Sequence, residues 1–519
     1  MREAGAGSGS GPGSKGEGGS ERPLAGGGNG RWAAVAALVL VPLLFYGAMV
    51  FRGWEPPAAD TAASRPFATW GAQAEEELGR FPDWYPFTFS GMPSYGSFTY
   101  TPRSPLHPLT WLQRALRDNR GIWYVLLLSV AGLSTYAFLR RQAFSRVAAT
   151  TAALLYSMTP YFAGNVVAGH STKLEALCLL PLFVLALHLL LDRPDLLHAV
   201  FLGGTLAALA WSNHPQIVFY ALLVGGLYAL GRILVERREP TGERRWGWLL
   251  GGLLLAGALA AALAAEPYLA VREYAPWSIR GAGAVAGEAP AGGGVGWDYA
   301  TAWSFHPREL LSFLVPGWFG LKDQTYWGPM PFTHSTHYFG LLALLLAVYG
   351  LWRRPERRRW IWAGISAVVL FIGFGRHLPV LYGPMFHIVP YFDKFRVPSM
   401  IYGVLPFCLA WPIAGGMDAL LRDLRGAPAA GGARGASRGE KGGRKGKEPG
   451  GRTDHAPASS RAGRRLVYAL GAAVLLWVVL ALAGRGAGLV RPDETRLGGA
   501  ALAELRSLRL GILERSLAQ

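Results

Sequence analysis

Stretches of about 20 mainly apolar residues recur along the chain and alternate with short polar connectors. A helix of about 20 residues can cross the hydrocarbon core of a bilayer, so each stretch predicts one membrane-spanning helix. The pattern therefore indicates an all-α integral membrane protein with about eleven transmembrane helices. The predicted spans are residues 32–51, 121–139, 147–165, 173–191, 196–212, 216–235, 247–265, 337–352, 360–375, 400–420 and 466–484.

Longer polar segments separate these spans and set the predicted domain organisation. Segments rich in Gly, Ser or basic residues cannot bury a core, so we expect them to be disordered. In chain order, the predicted parts are a disordered cytoplasmic tail (1–31), a transmembrane domain (32–421) with two large outer loops (52–120 and 266–336), a disordered basic cytoplasmic loop (422–464), and a last span with an outer amphipathic tail (465–519).

Arginine-rich connectors set the predicted orientation. By the positive-inside rule, Arg140 and Arg141, residues 236–245, residues 353–359 and the tract 422–465 belong in the cytoplasm. Counting spans from these connectors places every connector with an unusual polar motif on the opposite side. A shared side for these motifs predicts a functional site on the outer face.

Composition and charge support this interpretation and exclude others. Hydrophobic residues make up 51% of the chain, charged residues only 16%, and the net charge is +18. We reject a nucleic-acid partner, because insertion bias and anionic membrane lipids account for basic residues in cytoplasmic connectors. Cys178 and Cys408 both lie within apolar stretches, so a disulfide framework and a cysteine zinc site are not expected.

Two acidic residues in the first outer loop are candidates for chemistry. Asp60 follows shortly after the first span, where a carboxylate could act as general base towards an acceptor hydroxyl at the membrane surface. The alternative is a solvated aspartate or a helix N-cap. Asp83 lies between Pro82 and Trp84 and is a substrate-binding candidate, although this context is also typical of a turn.

Two short outer connectors carry the next candidates. His170 and Lys173 lie at the start of an apolar stretch, where cations suit a phosphate, although Lys173 could also extend to the interface. Asn213, His214 and Gln216 form a tight connector in which His214 could donate a hydrogen bond to a sugar or phosphate, or simply occupy a turn. No HxxxH pattern or acidic triad accompanies the histidines, so a metal site is not predicted.

The second outer loop and the last outer connector complete the set. Glu266 could be a second carboxylate or an ion partner of Arg272. Trp303 and Trp327 could stack on sugar rings, or belong to the aromatic girdle at the membrane interface.

Two further cations lie at the predicted outer end. Lys394 and Arg396 oppose the positive-inside trend there, which an anionic lipid head group would explain. An internal ion pair with Asp393 is the alternative.

The order of these motifs resembles a known family. Over residues 32–420 the chain is similar to the YfhO family of bacterial multi-span membrane proteins, because several motifs occur in the same order. These motifs are WYPFTFSGMPSYG, AGHSTKLEAL, NHPQIVFY, YATAWSFHPRELLSFLVPGWFG, YWGPMPF and FDKFRVPSM.

The resemblance implies a GT-C-like architecture and glycosyl transfer from a polyprenyl-phosphate donor on the outer face of the bacterial inner membrane. It implies that Asp60 is the catalytic base and that His170, Lys173, His214, Lys394 and Arg396 contact the donor phosphate. The Asp-x-Asp pair of some GT-C enzymes is absent near Asp60. No cofactor is predicted, and dependence on a divalent metal is left open. Family members commonly continue beyond the position that corresponds to Gln519, which leaves the activity of this chain open.

Three functions remain as hypotheses. The first is transfer of a sugar from a polyprenyl-phosphate-linked donor to a cell-envelope glycan or lipid acceptor. The second is a transporter or flippase of lipid-linked sugars, which would need charged or broken-helix sites near the bilayer midplane. The third is a scaffold for envelope assembly that uses the basic tract 422–464 for docking.

Overall fold

The computed structural model describes residues 29–88, 90–94, 112, 115–116, 119–236, 243–278, 295–321, 325–333, 336–425, 471, 475–480, 482–483, 488–496 and 498–518. The predicted cytoplasmic tail up to residue 28, the basic tract from residue 426 and most of the span 466–484 lie outside these residues. Helices dominate the described residues, as the apolar pattern predicts. Strands are limited to the described pair β1 (Trp84–Tyr85) and β2 (Met92–Pro93), which pair antiparallel with Trp84 opposite Pro93.

The described residues form eighteen α-helices. They are α1 Asn29–Phe45, α2 Gly47–Arg52, α3 Ala59–Leu78, α4 Arg120–Arg141, α5 Arg146–Ser157, α6 Pro160–Ala168, α7 Ser171–Asp192, α8 Leu196–Trp211, α9 Pro215–Glu236, α10 Glu243–Leu263, α11 Ala265–Tyr274, α12 Trp297–Thr301, α13 Leu311–Leu314, α14 Leu341–Arg353, α15 Arg358–Gly373, α16 Tyr382–Ile388, α17 Leu405–Leu424 and α18 Gly499–Ala518. Short 3-10 helices cover Ala275–Trp277, Pro307–Leu310, Gly375–His377, Phe392–Lys394, Pro398–Gly403 and Pro492–Arg496.

Five of the described helical segments are long and apolar enough to cross a membrane. They are Arg120–Arg141, Ser171–Asp192, Pro215–Val235, Trp246–Leu263 and Pro398–Leu424. Three shorter apolar helices accompany them: Gly30–Phe45, Leu196–Trp211 and Leu341–Arg353. The structure thus agrees with a helical membrane protein, whereas the total of about eleven spans and the placement of the loops stay predictions.

The structure divides two predicted segments differently from the sequence pattern. The predicted span 147–165 consists of two helices, α5 and α6, because Pro160 starts a new helix directly after Thr159. Within the predicted outer loop 52–120, α3 extends from Ala59 to Leu78 with Pro66 inside it. Trp70 of the same helix packs edge-on against the ring of Tyr85, with 5.0 Å between the ring centroids.

Helices α14 and α17 approach each other closely. A Cβ on Gly350 would collide with the carbonyl of Pro412, and one on Gly416 would collide with the carbonyl of Leu346. The two backbones are therefore in direct contact, an arrangement that small residues permit between membrane helices.

Connectors that the sequence predicts to be cytoplasmic contact one another at one end of the bundle. The Asp418 carboxylate accepts hydrogen bonds from the Ser145 amide at 3.2 Å and from the Arg354 guanidinium at 2.9 Å. Arg353 pairs with Asp423 at 2.7 Å. These buried and half-buried pairs join α5, α14 and α17.

The C-terminal helix α18 docks on the second predicted outer loop through a buried arginine. Two nitrogens of Arg509 each lie 2.6 Å from a different oxygen of Glu494, and Arg509 also donates to the carbonyls of Leu489 at 2.8 Å and Tyr326 at 3.3 Å. A Cβ on Gly317 would collide with Ser516. The predicted outer tail therefore packs against Gly317 and Tyr326 of the second predicted outer loop.

Candidate functional site

The first polar group of the predicted outer end joins Asp60, His170 and Lys173. The Oδ2 atom of Asp60 lies 2.9 Å from Nε2 of His170, and Nδ1 of the same ring lies 2.9 Å from Nζ of Lys173. Asp60 comes from the first turn of α3, whereas His170 and Lys173 flank the start of α7. The structure thus connects two motifs that the sequence treats separately.

Gly169 explains how α3 approaches this site. Its φ of +85° lies in the left-handed region, which ends α6 and turns the chain towards His170. A Cβ at this position would lie 2.7 Å from Oγ1 and 2.9 Å from the backbone nitrogen of Thr61. Only glycine therefore allows the first turn of α3 to pack here and to place Asp60 beside His170.

With Lys173 protonated, the contacts of the His170 ring indicate its tautomer. A lysine ammonium has only donors, so it donates to Nδ1, and Nε2–H then donates to Asp60. The imidazole is neutral in this arrangement and bridges an ammonium and a carboxylate. Burial differs strongly along the chain of contacts: the Asp60 side chain is 62% exposed, whereas Lys173 is only 8% exposed.

His337 lies behind Lys173 and extends the polar group into the protein. His337 is only 8% exposed, and its ring is close enough to Lys173 to feel the charge of that side chain. The ring stacks on Tyr161 with 5.5 Å between centroids, and Nδ1 is buried without a hydrogen-bond partner among the described residues. Lys173 and His337 thus form the buried side of this polar group.

A second group forms around Arg396. Its guanidinium donates to the hydroxyl of Tyr299 at 2.6 Å and lies over the rings of Tyr299 (5.3 Å) and Trp303 (5.6 Å). The Nε2 atom of Gln216 donates to the backbone carbonyl of Arg396 at 2.6 Å. Three sequence motifs, from α9, α12 and the Phe392–Lys394 connector, meet at this point.

The neighbouring polar candidates have mainly local roles. Asn213 has a φ of +54°, and Nδ1 of His214 accepts a hydrogen bond from the Ile217 amide at 3.3 Å, so both shape the turn before α9. The Lys394 side chain is half-buried and makes no hydrogen bond or ion pair with another described residue. The alternative of an ion pair between Asp393 and Lys394 is therefore not observed.

Asp83, Trp327 and Glu266 lie outside the two groups. Asp83 is exposed and pairs with Arg80, which agrees with a turn residue. Trp327 packs on Phe319 with 4.7 Å between ring centroids. Neither residue contacts Asp60 or Arg396. Glu266 is half-buried in the first turn of α11, where the positive end of the helix dipole favours a carboxylate.

Glu309 is a buried carboxyl that the motif analysis missed. It is 1% exposed, accepts a hydrogen bond from the Tyr326 hydroxyl, and caps the His306 amide at 3.0 Å. Burial raises its pKa to about 7. The sequence contains a signal for the capping role of Glu309, because Pro307 and Glu309 have the spacing of a helix start and its capping glutamate. No comparable signal marks His337.

No group of three or more His, Cys, Asp or Glu side chains in the described part of the chain could hold a metal ion. Cys178 and Cys408 are both buried free thiols. The arrangement around Asp60 instead combines an accessible carboxylate with a buried cation. This combination suits proton abstraction next to an anionic group.

No protein-family model matches the chain, and no curated protein matches it. The similarity to the YfhO family therefore stays a prediction based on the order of its motifs.

Proposed function

We propose that the chain is a membrane glycosyltransferase that moves a sugar from a polyprenyl phosphate to a cell-envelope glycan or lipid on the outer face of the bacterial inner membrane. The contact chain from Asp60 through His170 to Lys173, with 2.9 Å at each step, supports this proposal. Glycosyl transfer with a phosphate leaving group needs a base at the acceptor and positive charge at the phosphate. This group of residues supplies both.

Asp60 is the base in this proposal. The acceptor oxygen attacks the anomeric carbon, its proton passes to the Asp60 carboxylate, and the bond from the anomeric carbon to the phosphate oxygen breaks. The exposed side chain gives an acceptor access from the aqueous side.

Lys173 and His170 support the two ends of this reaction. Lys173 stabilises the negative charge on the departing lipid phosphate, and its burial strengthens that interaction because the local dielectric is low. His170 donates through Nε2 to Asp60 and so holds the carboxylate in place. In this proposal Asp60 and Lys173 touch the substrates, and His170 is a positioning residue.

A transporter or flippase is the second candidate, and one observation favours it. Inside the helix bundle, Arg232 of α9 contacts His188 at 2.6 Å and Asp192 of α7 at 2.8 Å, and Tyr228 contacts His188 at 2.8 Å. Ionisable residues within membrane helices often mark transport pathways. This group lies towards the C-terminal ends of α7 and α9, away from the Asp60 end, so it favours transport less than a midplane site would.

The test uses purified protein in liposomes with radiolabelled polyprenyl-phosphate sugars and measures sugar release. Asp60→Asn should lower turnover at least a hundredfold, since a general base typically contributes about 10²–10⁴-fold. Lys173→Met should slow departure of the lipid phosphate and so lower kcat. Glu76→Gln changes an exposed carboxyl on the same helix, α3, and should leave turnover at the wild-type level.

The outcomes separate the candidates. Equal turnover of wild type and Asp60→Asn, with the fold intact by thermal unfolding, would remove Asp60 as the base. Absence of turnover with every donor, together with movement of the labelled lipid between leaflets, would contradict the transferase and support the flippase.

A further inference from the structure

Arg396 is held by two aromatic residues and a strained backbone. Its guanidinium lies over the rings of Tyr299 and Trp303, and the next residue, Val397, has a φ of +62°. A β-branched residue in the left-handed region is a rare, costly conformation that surrounding structure has to maintain. Here the Val397 amide donates to the Ala300 carbonyl at 3.1 Å.

The position of Arg396 is also fixed from the opposite side. Gln216 is only 4% exposed and donates from Nε2 to the Arg396 carbonyl at 2.6 Å. It also lies 2.9 Å from the Tyr220 hydroxyl. The buried amide of Gln216 thus holds the backbone of Arg396. This contact indicates that the position of the Arg396 side chain matters.

Among the described residues, the charge of Arg396 has no anionic partner. Within the part of the chain that the structure describes, the guanidinium makes one hydrogen bond, to the neutral hydroxyl of Tyr299. A guanidinium carries five donor hydrogens in a planar fork that matches a carboxylate. The remaining donors are therefore available to a ligand with a negative charge.

The polar atoms of the Trp303 and Tyr299 side chains form hydrogen bonds within the protein. The Trp303 indole donates to the Phe332 carbonyl at 3.1 Å, and the Tyr299 hydroxyl accepts from Arg396. Rings of an interfacial girdle usually direct these polar atoms to the headgroups. Tyr299 is 43% exposed and Phe332 is 41% exposed, so ring surface remains accessible beside the cation.

We propose that Tyr299, Trp303 and Arg396 bind a sugar ring that carries a carboxylate, a uronic acid residue of a glycan. The aromatic faces pack on the pyranose ring, and the guanidinium pairs with its carboxylate. This assignment gives Arg396 a role in sugar recognition instead of contact with the donor phosphate. The assignment of this sugar site to the acceptor rests on the proposed transferase function. Binding of the sugar to the site does not depend on that function.

The experiment measures binding without turnover. Purified protein in nanodiscs is titrated with methyl β-D-glucuronide and, as the neutral match, methyl β-D-glucoside. We expect wild type to bind the glucuronide about tenfold more tightly, because a charge-assisted bidentate contact is present only with the carboxylate. Arg396→Gln should remove this preference and keep the weak glucoside binding, and Trp303→Leu should weaken both sugars.

Two controls keep the result specific. Arg376→Gln changes an exposed arginine of the neighbouring Gly375–His377 segment and should retain the preference. Thermal unfolding of each variant identifies any loss of fold, and Trp303→Phe replaces Trp303→Leu where the latter unfolds.

Three results would overturn the proposal. They are equal binding of the two sugars, no binding of either sugar, and a preference that survives Arg396→Gln. If Arg396→Gln instead weakens binding of sugar-free polyprenyl phosphate and leaves both sugars unchanged, Arg396 is a donor-phosphate contact. Loss of turnover in Asp60→Asn leaves this titration unaffected, so failure of the transferase and failure of the sugar site are distinguishable.

Discussion

Gly169 and Thr61 come from distant parts of the chain, yet a Cβ on Gly169 would lie 2.7 Å from Oγ1 of Thr61. This close approach brings the first turn of α3 against the end of α6. Asp60 precedes Thr61 and His170 follows Gly169, so the same contact brings the carboxylate and the imidazole together. The geometry of the Asp60 group therefore depends on the absence of a side chain at residue 169.

Gly169→Ala should separate Asp60 from His170. The alanine meets a left-handed backbone, which costs about 1–2 kcal/mol, and it also collides with Thr61. We expect a lower thermal midpoint and a loss of turnover comparable to that of His170→Gln. Gly79→Ala is the matched control, because Gly79 has a φ of +66° with no atom within 4 Å of the added Cβ. Equal effects of the two alanines would contradict this explanation.

Glu309 should make stability depend on pH. Its pKa in the folded state is about 7, above the ordinary 4.5, because burial disfavours the charged form. The unfolded chain therefore loses its proton first as pH rises, and stability falls between about pH 4.5 and 7 by on the order of 3 kcal/mol. Glu309→Gln keeps the neutral form and should flatten this dependence.

The measurement for Glu309 is the thermal midpoint at pH 5 and pH 8 in detergent. Wild type should lose stability between the two values, and Glu309→Gln should lose much less. Glu504→Gln alters an exposed glutamate and should follow wild type. If the thermal midpoint of Glu309→Gln falls between pH 5 and pH 8 as much as that of wild type, another group causes the pH dependence.

Arg509→Met should loosen α18 from the preceding segment 488–496 and from Tyr326 of the second outer loop. The substitution removes both contacts to Glu494 and leaves that carboxylate half-buried without its arginine, a loss that typically costs about 3–5 kcal/mol for buried pairs. Hydrogen exchange of residues 499–518 should become fast, whereas α7 and α9 stay protected. Arg506→Met changes an exposed arginine of the same helix and should retain protection. Unchanged exchange in Arg509→Met would show that other contacts hold α18.

Cysteine labelling should reveal the orientation of the bundle. The native Cys178 and Cys408 are buried, so background labelling is low. Tyr391→Cys, at a 73% exposed position, should react with an impermeant maleimide in intact spheroplasts. Arg357→Cys, in the exposed connector before α15, should react with the maleimide only after the membrane is permeabilised. The reverse pattern would contradict the predicted orientation.

Sequence patterns identified the helices better than the site. Long apolar stretches leave few alternatives to a helix, which is why segments such as α4 and α7 lie close to their predicted limits. The helix α3 was mostly missed, because Pro66 argues against it locally and the aromatic packing that supports it comes from residues further along the chain.

The contact partners of the site residues could not be read from the sequence. Residue types indicated Asp60 and His170 separately, but their 2.9 Å contact depends on how α3 packs against α6. The role of Arg396 likewise needed the positions of Tyr299 and Trp303. His337 carries no local signal, because its importance arises from burial beside Lys173.

The backbone contact between α14 and α17 has a mechanical consequence. Gly350 and Gly416 leave no layer of side chains between these helices, so the pair has no space that rotamer changes could open. Under the proposed function, a lipid tail that enters from the bilayer would therefore pass between other helices, because α14 and α17 leave no gap at Gly350 and Gly416.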